Sequence, residues 1–65
     1  MRYRLEIWQY HHLHTFYEDN NIKNVLKWYK KYWQWIYEFG DCTFYLFENG
    51  KELDFNKCNK LGFYD

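Results

Sequence analysis

Three histidines crowd into four positions, His11, His12 and His14, and two cysteines, Cys42 and Cys58, stand further along the chain. Imidazole nitrogen and thiolate sulfur are the ligand types of a zinc site. Their spacing argues against one, because there is neither a Cys-x-x-Cys nor a helical His-x-x-x-His, and the cysteines lie 16 residues apart on different elements. The expectation is a polar loop of solvated histidines, two free thiols, and no metal or other cofactor. Two cysteines are also too few for the disulfide frameworks that hold small secreted domains together.

His12-Leu13-His14 resembles the histidine, hydrophobe, histidine triplet of the HUH endonucleases. That resemblance implies two imidazoles on one strand face holding a divalent metal, with a tyrosine nucleophile on a nearby helix, here Tyr29 or Tyr32. Those folds use a larger sheet and further acidic ligands, so the simpler reading is that His12 and His14 continue the outward alternation of the first strand. Other nucleophilic chemistry has little to work with. The chain contains no serine, and its three glycines are explained by a helix cap (Gly40), a turn (Gly50) and a tail (Gly62) rather than by a phosphate-cradling loop. The expectation is a protein that is not an enzyme.

The elements that must position any site follow from periodicity. Residues 2–10 alternate, with Tyr3, Leu5 and Ile7 on one side and Arg4, Glu6, Trp8 and Tyr10 on the other, which predicts a half-buried strand. The polar stretch 11–21 reads as a connection, and Asn20 or Asn21 serves as the N-cap of a helix over about 21–39, ended by Gly40. Its apolar residues span an arc of about 200°, roughly twice what packing on one sheet requires. Residues 42–56 form a hairpin about Asn49-Gly50, with Glu48 opposite Lys51, Leu46 opposite Leu53 and Phe44 opposite Phe55. Residues 57–65 read as a short extended tail with Leu61 and Phe63 packed back. The fold class is therefore α+β, one small β-α-β-β domain over 1–65 with a single amphipathic helix on a three-stranded sheet.

That arrangement leaves more large side chains than a core can take. Of the 65 residues 28% are aromatic, and a chain this short hides only about 60% of its unfolded surface on folding. Tyr3, Leu5, Ile7, Phe44, Leu46, Leu53 and Phe55 against Ile22, Val25, Leu26, Tyr29, Trp33 and Ile36 already fill a two-layer interior. Trp28, Tyr32, Trp35 and Phe39 remain on one helix flank, and Trp8, Tyr10, Tyr45 and Phe47 on the open face of the sheet. Exposed apolar patches of this kind mark interaction surfaces, and aromatic residues dominate interface energetics.

Charge points the same way. Nine basic residues balance nine acidic ones, so the long-range positive field of many nucleic-acid-binding domains is missing. The local exception is the helix, where Lys23, Lys27, Lys30 and Lys31 form a stripe beside Trp28 and Trp35 that suits a nucleic-acid binder as the alternative reading. No apolar run approaches the roughly 20 residues of a membrane span, and the first residues lack a signal-peptide core, so a cytoplasmic location is expected.

The chain is rich in Asn, Lys, Phe and Tyr and has no Ala or Pro, a composition of AT-rich codons. In this it resembles the small accessory proteins that phages of low-GC bacteria encode. The resemblance implies a non-enzymatic protein-interaction module in the host cytoplasm, a stoichiometric inhibitor of a host enzyme or defence system. The partners expected are a host protein and a second copy of the chain in a homodimer, with no membrane.

Overall fold

In the computed structural model, which describes residues 1–36 and 42–64, alternation in the first residues makes β1 (Tyr3–Gln9). Its Tyr3, Leu5 and Ile7 are buried and its Arg4, Glu6 and Trp8 half-buried. The chain continues as β2 (His12–Asp19), α1 (Ile22–Ile36), β3 (Cys42–Glu48), β4 (Lys51–Glu52) and α2 (Phe55–Leu61). The strands form one antiparallel sheet in the order β2-β1-β3-β4, and both helices cover the same face of it. The α+β class stands, but the described residues form four strands and two helices where the periodicity gives three and one.

Residues 11–21 are not a polar loop. Tyr10 and His11 make a two-residue turn with positive φ at both positions (50° and 68°), and Gln9 then pairs with His12. Asn-Gly normally announces such a turn; Tyr-His does not, although His tolerates the left-handed region better than most residues. A β-bulge hides the strand further. Ile7 faces Thr15 while Trp8 faces Leu13, leaving His14 as the extra residue. Leu13, Phe16 and Glu18 consequently share a face at spacings of three and two, which no search for strict alternation detects.

Asn21 caps α1, its side-chain oxygen accepting from the Lys23 amide at 2.9 Å. Asn20 instead accepts from the Arg2 amide at 2.8 Å, tying the helix entrance to β1. Asp19 completes the joint by accepting from the Asn21 amide (2.8 Å) and the Tyr17 hydroxyl (2.9 Å). The predicted helix end, with Phe39 and the Gly40 cap, lies outside the described residues, as do the side chains of Trp35 and Ile36.

The second hairpin has the expected turn, with positive φ at Asn49 (52°) and Gly50 (84°), and the expected register for Glu48 with Lys51 and Phe47 with Glu52. It then departs from expectation. β4 ends at Glu52, the Leu53 amide makes a last bond to the Leu46 carbonyl (2.7 Å), and Asp54 turns the chain into α2 by accepting from the Lys57 amide at 2.9 Å. Phe55 is thereby 63% exposed rather than in the core, and Cys58, rather than lying in an extended tail, is buried on a helix. The extended tail predicted for 57–65 is this helix and its end. Gly62 (φ 98°) donates to the Asn59 carbonyl and Phe63 to the Cys58 carbonyl, both at 3.1 Å, the bond pattern of a Schellman cap. An edge strand continued through Phe55 would leave its outer edge unpaired, whereas the helix delivers Cys58 and Phe63 to the core. The interior is formed by Tyr3, Leu5 and Leu46 from the sheet, Val25 and Tyr29 from α1, and Cys58 with Phe63 from the C-terminal segment.

Candidate binding face

On the helix flank, the fourth strand changes the standing of the predicted aromatic surplus. Tyr17 of β2 stacks on Trp28 with ring centroids 5.2 Å apart and planes within 12°, and Trp28 stacks on Tyr32 at 5.1 Å. His14 Nε2 lies 3.1 Å from the Tyr32 hydroxyl. Trp28 and Tyr32 are therefore half-buried and pin β2 to α1. Of their two predicted companions, Phe39 and the side chain of Trp35 lie outside the described residues.

The open face of the sheet keeps its rings in view. Pairing sets its outward side chains in a lattice of three rows. The first runs Glu18, Arg4, Phe47, Glu52; the second Phe16, Glu6, Tyr45; the third Leu13, Trp8, Thr43. Tyr10 stands at the adjoining turn, 59% exposed, while Phe16, Leu13 and Tyr45 are 47%, 42% and 39% exposed. Trp8 meets Tyr45 edge to face at 6.2 Å with an interplanar angle of 88°, so the two rings form the walls of a corner. All four residues predicted for this face, Trp8, Tyr10, Tyr45 and Phe47, line a single groove of about 940 Å³. Leu13 and Phe16 extend the apolar face beyond what the sequence reading includes, and the bulge at His14 is why they are missed.

One carboxylate organises the middle of this surface. Glu6 Oε1 accepts from the Trp8 indole N–H at 3.0 Å and Oε2 from Arg4 Nε at 2.7 Å. The Arg4 hydrogen bond, helped by the indole and opposed by partial burial, holds the Glu6 carboxyl below its ordinary pKa. Arg4 also reaches Glu18 at 3.6 Å and lies 4.0 Å over the ring of Phe16. Glu52 at the sheet edge is exposed.

The other chemistry-bearing residues are dispersed. Cys58 is buried in the helical layer and Cys42 borders the groove, and among the described residues no three His, Cys, Asp or Glu side chains gather as metal ligands. His11 lines the groove end, whereas His12 and His14 are exposed on β2. Tyr29 is buried, and burial raises its phenol to about 12, which disfavours the ionised form a nucleophile requires. Lys23, Lys27, Lys30 and Lys31 are exposed along α1, and among the described residues none pairs with a carboxylate. Trp28, which would have to stack a base beside them, is engaged by Tyr17 and Tyr32. No described helix is long and apolar enough to cross a membrane. Compared with known proteins, the chain matches no family, no curated protein and no solved structure.

Proposed function

We propose that the protein is a non-enzymatic interaction module that docks a partner protein on the open face of its sheet. The observation that carries this reading is the lattice itself. Both described helices lie on the opposite face, so Trp8, Tyr45, Phe47, Phe16 and Leu13 form an apolar surface that no described element covers, with charged groups at its centre and rim. Aromatic anchors surrounded by polar groups are the make-up of protein interfaces. Inhibition of a host enzyme or defence protein is the narrower form of the same proposal, and a homodimer joined through this face is its self-associated form. The lysine stripe supports nucleic-acid binding as the second reading, since its four ammonium groups are free of intramolecular ion pairs among the described residues.

The test compares affinity capture by the wild-type chain, by Trp8→Ala/Tyr45→Ala and by Lys27→Glu/Lys30→Glu, each first shown to melt cooperatively. Recovery of a partner that survives the lysine changes and disappears with the aromatic ones supports the docking face. Nuclease-sensitive recovery lost only with the lysine changes transfers the function to α1. Sedimentation of the same three proteins shows whether any dimer depends on the sheet face.

A further inference from the structure

We propose that the Trp8–Tyr45 corner of the groove takes the cationic side chain of an arginine- or lysine-bearing segment of the partner protein. This rests on the open face being the docking surface and specifies what that surface recognises. The first observation is that the face already holds one cation of its own. In the β2–β1 half, the Arg4 guanidinium sits 4.0 Å over the Phe16 ring with Glu6 at 2.7 Å and Glu18 at 3.6 Å. A ring face and flanking carboxylates are what a desolvating guanidinium or ammonium needs.

The β1–β3–β4 half repeats those materials without the cation. Trp8, Tyr45 and Phe47 supply rings, the exposed Glu52 supplies a carboxylate beside Glu6, which Arg4 and the Trp8 indole already engage, and among the described residues no Lys or Arg lines the groove. Glu52 has no ion-pair partner among the described residues, and Arg4 is already committed to Glu6 and Glu18. Because β4 stops at Glu52, among the described residues no strand residue stands beyond Tyr45 in the second row, and none of them closes the corner from the sheet edge. At about 940 Å³ the groove is within the roughly 300–1,000 Å³ range of ligand pockets.

The experiment titrates the ¹⁵N-labelled protein with a capped Gly-Arg-Gly-Arg-Gly peptide. The same peptide with citrulline, a neutral isostere, replacing arginine is the control, and a glutamate version is the second control. The expected result is a saturable shift of the Trp8 indole N–H and Tyr45 amide signals by the arginine peptide, at least fivefold weaker for citrulline and absent for glutamate. Tyr45→Ala should weaken arginine binding by about threefold to thirtyfold. Glu52→Gln, an exposed substitution that leaves the core alone, should weaken it about twofold to fivefold and reduce its salt dependence, while Lys27→Gln leaves it unchanged. Equal binding of the arginine and citrulline peptides at these signals overturns the cationic assignment and leaves the docking face standing. Absence of any shift with the arginine peptide, or shifts confined to α1, also overturns it, and partner capture by the wild type and Trp8→Ala/Tyr45→Ala then decides the broader reading separately.

Discussion

Tyr29 joins three parts of the molecule at a single ring. Its neighbours are Trp33 on its own helix at 5.3 Å, Phe44 of β3 at 4.8 Å and Phe63 beyond α2 at 4.9 Å. Burial is the main reason its phenol is raised to about 12, with Tyr64 and Cys58 adding to it. An acid whose folded pKa lies above its unfolded value near 10 contributes stability that is fully present below pH 10 and is lost as the pH rises towards 12. The melting temperature should therefore fall between about pH 10 and 12, and Tyr29→Phe should flatten that fall while changing stability at pH 7 by less than about 1 kcal/mol. Melts followed by circular dichroism across that range check it; an equally steep fall in the variant would assign the alkaline limb to another group. The position of Tyr29 on the apolar arc of α1 is legible in the sequence, as are Leu5, Val25 and Leu46 in the core. The contact with Phe63 is not, because it depends on a cap at Gly62 that only the folded C-terminal segment reveals.

At the scale of elements, the two hairpins show what local signals can and cannot announce. Asn49-Gly50 names its own turn and fixes the register of Glu48 with Lys51. Tyr10-His11 adopts the same kind of turn at a conformational cost, about 1–2 kcal/mol for an ordinary non-glycine residue such as Tyr10 in the left-handed region and less for His11. Tertiary pairing of β2 with β1, with the Tyr17–Trp28–Tyr32 stack, overrides that local cost. Tyr10→Asn with His11→Gly should accordingly raise stability by about 1–2 kcal/mol, an increase of roughly 4–16 °C in melting temperature. Calorimetry checks it, and an unchanged or lower value would mean that the native side chains contribute contacts worth as much as the strain. Asp54 and Gly62 bound α2 as an N-cap residue and a C′ glycine do, but the hairpin pattern continuing through Phe55 competes with them. The short helix wins because it alone buries Cys58 and Phe63.

For the molecule as a whole, the separation of faces is the organising fact. Among the described residues, one side of the sheet carries the two helices and the fully buried Leu5, Ile7, Leu46 and Val25, and the other carries the groove. The open-face group Trp8, Tyr10, Tyr45 and Phe47 is readable from strand alternation alone. On the helix flank, Trp28 and Tyr32 are stacked with Tyr17 of a strand that the bulge conceals from the sequence pattern. A chain of this size has a net stability of only about 3–5 kcal/mol, while deleting a buried leucine costs about 2–5 kcal/mol. Leu5, with no exposed surface at the centre of β1, is the severest single case. Leu5→Ala should leave the chain largely unfolded at 37 °C, whereas Glu52→Gln at the rim should shift the urea midpoint hardly at all. Urea titration followed by tryptophan fluorescence checks both, and a cooperative Leu5→Ala transition close to the wild-type midpoint would contradict this account of the core.

The place of β1 also governs how the chain reaches this state. It is bonded to β2 through a two-residue turn but also to β3, with Tyr3 opposite Glu48. The first contact closes a short loop; the second must bring together segments separated by β2, α1 and about half of the sequence, an entropic demand that slows folding. On the ribosome, β1 and β2 can associate while α1 is still being made, yet one edge of β1 stays unsatisfied until β3 emerges. Until then the nascent hairpin offers that edge to any passing strand, so the interval between synthesis of β1 and synthesis of β3 is when this protein is most exposed to mispairing.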